Sequence, residues 1–291
     1  MQKATNANSI PVLMYHHVTA NGGSLSVSAI NFEKQMRGLA ERGYTTLTSS
    51  QFADFITGKA PVPKKSLLIT FDDGYLDNWV YAHPVLKRYE LNAMLFAVTG
   101  LIGNGPVRPH SGQVGVQVPD CPPHKLAKEI MFSENPDPVM LRWDEIREMV
   151  SEGTFEIHSH TSTHKRWDLL SDASINKNSS FRHDLSTSRD TLVEQLGGVS
   201  DHFCWPQGYF DDDYKSIARS LGFNYLYTTD ARGMNVANGD TTHIYRFAVR
   251  NRPFGWLGQR LWLATNPVLA PLYNAWKSRS DARKQKRKSS H

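Results

Sequence analysis

Short apolar runs rich in β-branched and aromatic residues occupy positions 12–16, 44–47, 67–71, 93–98, 154–159, 202–205, 225–229 and 244–249. Runs of this length, bounded by polar or Gly/Pro clusters, predict strands. Between the first two, Phe32, Met36 and Leu39 return at helical spacing and Gly43 follows as a stop. Positions 143–152 close in the same way at Gly153, and 185–196 at Gly197 and Gly198. A further helix is expected over 75–89. Strands alternating with helices predict an α/β fold, a single (β/α) barrel domain over residues 10–253, with 254–291 as a C-terminal extension. Residues 103–138 are rich in Gly and Pro with little periodicity, and interrupt the pattern where a strand-to-helix loop belongs. That segment is either one wall of a groove or a surface insertion.

With 291 residues the chain can bury one substantial core. The formal charge of +5 is concentrated at the end, where Lys277, Arg279, Arg283, Lys284, Lys286, Arg287 and Lys288 face only Asp281. The body is then close to neutral, which speaks against a nucleic-acid-binding face. Cys121 and Cys204 stand far apart, which excludes a disulfide scaffold and a thiolate zinc site. No run approaches the ~20 apolar residues of a membrane span. Residues 1–9 lack the apolar core of a secretory signal, so cytoplasmic residence is the expectation.

Chemistry enters with Asp72 and Asp73, adjacent carboxylates at the end of the 67–71 run. Their mutual repulsion is relieved by a bound cation, and His160 with His164 could complete its site. Alone, Asp-Asp-Gly is ordinarily a turn and His-x-x-x-His a surface decoration. Their joint placement is more telling. In a β/α barrel, functional side chains gather at the C-terminal ends of strands, and His16, the two aspartates, His160 and the turn from Trp205 to Gly208 all fall there.

Together these residues resemble the polysaccharide deacetylase family, with its NodB-homology domain (carbohydrate esterase family 4). Thr70-Phe71-Asp72-Asp73-Gly74 matches its first motif and His160-Thr161-Ser162-Thr163-His164 its second. The opening Pro11-Val12-Leu13-Met14-Tyr15-His16 looks like the branch of poly-N-acetylglucosamine deacetylases. The resemblance spans about residues 10–250. It implies a distorted (β/α) barrel and a divalent metal held by Asp73, His160 and His164. Zinc is the first choice, although cobalt, nickel or iron would also suit such a set. It also implies Asp72 as the base that deprotonates the attacking water, and a backbone N–H of Gln207 as an oxyanion donor.

Two departures stand out. The family places an arginine two residues before Pro206, where this chain has Cys204; Arg246 is a substitute at another strand end, or else a surface arginine. The family's Leu-x-x-His motif is also absent; in the branch that shares the Tyr-His opening the histidine there takes its part, so the resemblance implies His16 as the acid that protonates the leaving amine, with His17 and His243 as fallbacks. Strand alternation sends His16 and His17 to opposite faces. His158 shares parity with His160 and reads as a packed neighbour. Trp205 and Tyr209, flanking the oxyanion turn, are candidate sugar-binding aromatics.

Beyond residue 253 an apolar stretch from Trp256 to Trp276, broken by Pro267 and Pro271, precedes the cationic run. That combination suits peripheral contact with the inner face of a membrane. The expected function is metal-dependent removal of acetyl from an N-acetylhexosamine of a glycolipid, a lipopolysaccharide-core intermediate or a polysaccharide. The alternatives are an envelope exopolysaccharide deacetylase and a catalytically silent carbohydrate-binding scaffold.

Overall fold

The computed structural model describes residues 6–171 and 176–288, with side chains up to residue 278. The first strands are β1 (Val12–Tyr15), β2 (His17–Thr19), β3 (Ser26–Ser28), β4 (Thr45–Thr46) and β5 (Ser66–Asp73). They are followed by β6 (Ala93–Ala97), β7 (Phe155–Ser159), β8 (His202–Cys204), β9 (Tyr225–Tyr227) and β10 (Phe247–Ala248). The helices are α1 (Ala29–Glu41), α2 (Ser49–Ile56), α3 (His83–Arg88), α4 (His124–Met131), α5 (Trp143–Ser151), α6 (Lys177–Leu196), α7 (Asp212–Ser220), α8 (Phe254–Thr265) and α9 (Leu269–Lys288).

The order β10-β1-β5-β6-β7-β8-β9 forms one parallel sheet, with β4 bonded to the start of β5. The sheet curls until one segment joins its two ends. Leu226 N–H donates to Thr241 O and Ile244 N–H to Leu226 O, which ties this segment to β9; three residues on, Phe247 pairs with Leu13 of β1. The expected barrel is therefore present, distorted in that its last strand serves both edges.

Burial on both faces explains why the strands read as continuous apolar runs. In β5, Leu67, Ile69 and Phe71 pack outward with Phe32, Met36 and Leu39 of α1. Leu68 packs inward with Val12, Met94, Phe96 and Tyr227. Thr70 and Asp72 share the parity of Leu68, so alternation aims both at the barrel interior. Phe52, Phe55 and Ile56 of α2 complete the inner cluster.

Some expectations need correction. The helix expected over 75–89 is reduced to a π-helical turn at Asn78–Ala82 and the short α3. Residues 74–76 instead pair with 139–141, through Leu76 N–H to Val139 O and Leu141 N–H to Gly74 O, and cannot enter a helix. Asp72 accordingly caps nothing. Residues 103–138 are built rather than loose. Arg108 sends Nε and Nη2 to the two oxygens of buried Glu145 at 2.7 and 2.8 Å and bonds the carbonyls of Asp137 and Met140, folding the segment over the strand ends with α4 inside it.

The extension packs on α1. Leu257 and Leu261 of α8 are fully buried, whereas Trp262, Val268, Leu272 and Trp276 are more than half exposed. Ser9 Oγ bonds Ala264 O, so the α8–α9 junction lies beside the N-terminal end of β1. No helix is long and apolar enough to cross a membrane among the described residues. The basic side chains expected at Arg279 to Lys288 lie outside the described residues. Replacing Leu261 with Ala should lower the unfolding free energy by about 2–4 kcal/mol, against less than about 0.5 for Trp262→Ala. Urea titration of both variants checks this; equal losses would mean that α8 is not seated on the barrel.

Candidate active site

Asp72 and Asp73 end β5, and a straight strand would send them to opposite faces. Asp73 adopts φ +76° and Gly74 φ +91°, turning the second carboxylate back over the strand ends. Thr161 (+65°), His164 (+58°) and Gln207 (+54°) are also left-handed. Each such non-glycine residue costs about 1–3 kcal/mol and persists only where its surroundings hold it.

What holds them is visible. Asp184 of α6 accepts the N–H groups of Ser162 (3.0 Å) and Thr163 (2.8 Å), the Thr163 hydroxyl (2.8 Å) and Trp167 Nε1 (2.9 Å). His164 N–H donates to Thr161 Oγ1 at 3.0 Å, closing the turn. His160 donates from Nδ1 to Cys204 O at 2.8 Å, which leaves Nε2 facing inward.

The result is convergence. His160 Nε2 and His164 Nε2 each lie 3.5 Å from Asp73 Oδ1, and one donor atom from each residue falls within 4.8 Å of the others. Two imidazole nitrogens and one carboxylate oxygen, the imidazole of His160 fixed through its other nitrogen, fit a divalent cation. Burial alone would raise the Asp73 carboxyl, but the hydrogen bond from His160 and the charge at His164 hold it far below the usual range. Burial pushes His164 down to about 4. For His160 burial is outweighed by Cys204 first and then by the hydrogen bond to Asp73 and the charge of Asp72, and its pKa stands well above the ordinary value. A cation entering here would displace that proton.

Arg246 is buried, not a surface residue. Its Nη1 and Nη2 meet Asp72 Oδ1 and Oδ2 at 2.7 and 2.9 Å, while Nε bonds Thr228 O (2.8 Å) and Nη1 bonds Thr70 Oγ1 (3.1 Å). Nη2 also lies 2.9 Å from Cys204 Sγ, so the small cysteine leaves room for an arginine arriving from a different strand. Burial would raise the Asp72 carboxyl; Arg246 more than offsets it, and the net shift is downward. His16 Nε2 sits 3.9 Å from Asp72 Oδ2.

The cleft is lined by His16, Asp72, Asp73, His160, His164, Trp205 and Gln207. Trp205 contributes as part of a wall, since it is buried among Phe181, Phe203 and Phe210. Tyr209 lies outside, its ring against the Arg166 guanidinium at 4.2 Å. His243 is also outside, near Asp230 and Phe210. His158 packs between Phe96 and His202 and bonds Ser200. His17 is wholly buried, facing Asp77 rather than the cleft. Sequence reasoning missed Asp184; of the two readings of 103–138 the groove wall holds, its α4 region supplying His124, Lys128, Met131 and Phe132, though none of these was singled out. Only the interruption of the barrel pattern hinted at the second.

Compared with known proteins, the chain matches the profile described as polysaccharide deacetylase over residues 59–226. The chain belongs to this family. The Bacillus subtilis protein YxkH, named after the same activity, is 28% identical over 221 residues, covering 76% of this chain and 64% of that protein. The poly-β-1,6-N-acetyl-D-glucosamine N-deacetylase of Staphylococcus aureus is 26% identical over 245 residues, 81% of this chain and 71% of its own. Among solved structures, IcaB from Ammonifex degensii superposes with a TM-score of 0.67 at 25% identity, covering 90% of this chain and 99% of that one. This chain thus spans about two thirds of the length of its curated relatives.

Removing Arg246 would leave a buried carboxylate without its partner. Arg246→Met should destabilise the fold by about 3–5 kcal/mol near neutral pH. Because the folded-state pKa of Asp72 is depressed, its contribution is present above the unfolded value of about 4 and disappears as pH falls through the folded value. Urea titrations of wild type and Arg246→Met should therefore converge toward acid pH; a gap that stays constant would show that the pair contributes no such linkage.

Proposed function

We propose that this chain hydrolyses the N-acetyl groups of a polymer containing N-acetylglucosamine, releasing acetate and leaving a free amine. The observation that carries this reading is the juxtaposition of the Asp73, His160 and His164 donor set with an arginine-clamped carboxylate at Asp72 in one cleft. A divalent cation held by Asp73, His160 and His164 would supply Lewis-acid polarisation of the acetyl carbonyl and acidify a water.

The rest falls to the protein's own groups. Asp72, kept ionised by Arg246, retains free lone pairs on both oxygens and takes a proton from the attacking water. As the water oxygen bonds the acetyl carbon, the carbonyl oxygen takes up charge beside the backbone N–H of Gln207 in its left-handed turn. When the C–N bond breaks, His16, on the cleft side of Asp72, donates a proton to the departing nitrogen. A silent scaffold would have no use for a buried ion pair, since an apolar replacement is often as stable or more so.

A polymer is favoured over a glycolipid on two grounds. The Staphylococcus aureus relative is named for a polymer. The exposed Trp262, Leu272 and Trp276 sit toward the N-terminal end of the strands, whereas the cleft opens at the C-terminal end. Acetate release from β-1,6-linked N-acetylglucosamine oligomers should be abolished by chelator, restored by added divalent metal and reduced at least ~100-fold by Asp72→Asn. Release that withstands both treatments would overturn the mechanism.

For the extension, an anionic bilayer is the surface we propose. Leu269, Leu272 and Trp276 recur at helical spacing on exposed α9 positions, and the run beyond them carries seven cations against Asp281. Apolar burial and attraction of about 1 kcal/mol per cation near the surface would act together. The full chain should co-float with phosphatidylglycerol vesicles at low salt, and Trp262→Ser/Leu272→Ser/Trp276→Ser should not; absence of wild-type flotation at every salt concentration would discard this contact.

A further inference from the structure

A second polar array reaches the cleft, and the hydrolytic scheme above leaves it unused. Asp77 is buried. Its Oδ1 accepts the Val18 N–H and the Asn78 side-chain amide, both at 2.9 Å, and its Oδ2 lies 2.6 Å from His17 Nδ1. His17 is fully buried over the Tyr75 ring, with centroids 3.8 Å apart. Its Nε2 is 3.1 Å from Nδ1 of His124, the first residue of α4 and part of the cleft wall.

The polarity of this chain of bonds follows from its inner end. An ionised carboxylate can only accept, so His17 carries its proton on Nδ1. Three donors already meet the Asp77 carboxylate, and in the tautomer that donates from Nδ1 alone the second ring nitrogen of His17 is free to accept. Its Nε2 then offers a lone pair, which His124 must meet with Nδ1–H. That leaves Nε2 of His124 without a proton, an acceptor available to whatever occupies the cleft. Burial depresses the pKa of His124, which agrees with a neutral ring.

We infer that His124 is a sugar-binding residue whose Nε2 accepts a hydrogen bond from a hydroxyl of the substrate, and that Asp77 sets this polarity through His17. The inference rests on the carbohydrate reading above. His17 and Asp77 are positioning residues; neither reaches the substrate.

Asp77→Asn is a sharp test because its outcome is forced by geometry. Val18 N–H and the Asn78 amide both point at the Oδ1 position, so the new amide must keep its oxygen there and turn its NH2 toward His17. His17 would then accept at Nδ1 and donate from Nε2, and His124 would become a donor at Nε2. In 15N-histidine-labelled full-length protein, imidazole NMR should show Nδ1–H tautomers for both rings, and Nε2–H for both in Asp77→Asn. Calorimetry with a β-1,6-linked N-acetylglucosamine pentamer should give a Kd about tenfold weaker for His124→Phe, the loss of one hydrogen bond, and a smaller loss for Asp77→Asn, where the hydroxyl must turn to accept from Nε2–H. In acetate-release kinetics KM should carry the larger part of the loss.

An Nε2–H tautomer at wild-type His124 would overturn the inference, and this arm needs no variant to fold. So would unchanged pentamer affinity in His124→Phe, a half-exposed site where the substitution leaves the core intact. A kcat defect with unaltered KM would assign His124 to proton transfer instead and equally overturn it. If wild type binds the pentamer but releases no acetate, the deacetylase reading fails while the tautomer and affinity measurements still decide this one.

Discussion

A guanidinium buried against a carboxylate organises the upper half of this barrel. The Arg246–Asp72 pair takes two charges out of water, an arrangement tolerable only when every remaining donor is matched. Thr228 O, Thr70 Oγ1 and the Cys204 sulfur provide that match, Thr70 from β5 itself and the other two from the ends of β9 and β8. The same contacts fix the direction in which Asp72 faces the cleft and the distance at which His16 stands from it. Inner packing, ring closure and chemistry therefore meet at one pair of side chains.

Around that pair, the backbone is held in conformations it would not choose alone. Asp73, Thr161, His164 and Gln207 all carry positive φ. Their turns are secured by bonds with no catalytic part of their own, above all the four that end on Asp184. Rigidity of this kind keeps the donor atoms of Asp73, His160 and His164 converged, so little reorganisation would oppose a cation there.

What the sequence disclosed depended on how local the signal was. β5 was legible because its run, its two aspartates and Gly74 are contiguous, and the second ligand pair because four residues of spacing fit within one turn. Arg246 was legible only as a candidate: its partner lies 174 positions away, and nothing in Tyr-Arg-Phe tells a buried cation from a surface one. His124 was invisible. It sits in a segment without periodicity, and its relation to His17 depends on long-range bonds, such as the Arg108–Glu145 pair, that fold this segment back. The helix expected over 75–89 failed for the same reason, since a distant strand-like segment claimed its first backbone donors. Tyr209 followed the turn chemistry as expected but found a guanidinium instead of the cleft.

The order of the chain adds a temporal constraint. Asp72 emerges early in synthesis, whereas Arg246 belongs to the segment that sutures β9 to β1. Until that late segment arrives, Asp72 lacks its guanidinium partner, and burying its carboxylate costs correspondingly more. Closure of the ring and pairing of Asp72 therefore depend on one late segment, and any product ending before residue 244 would lack both.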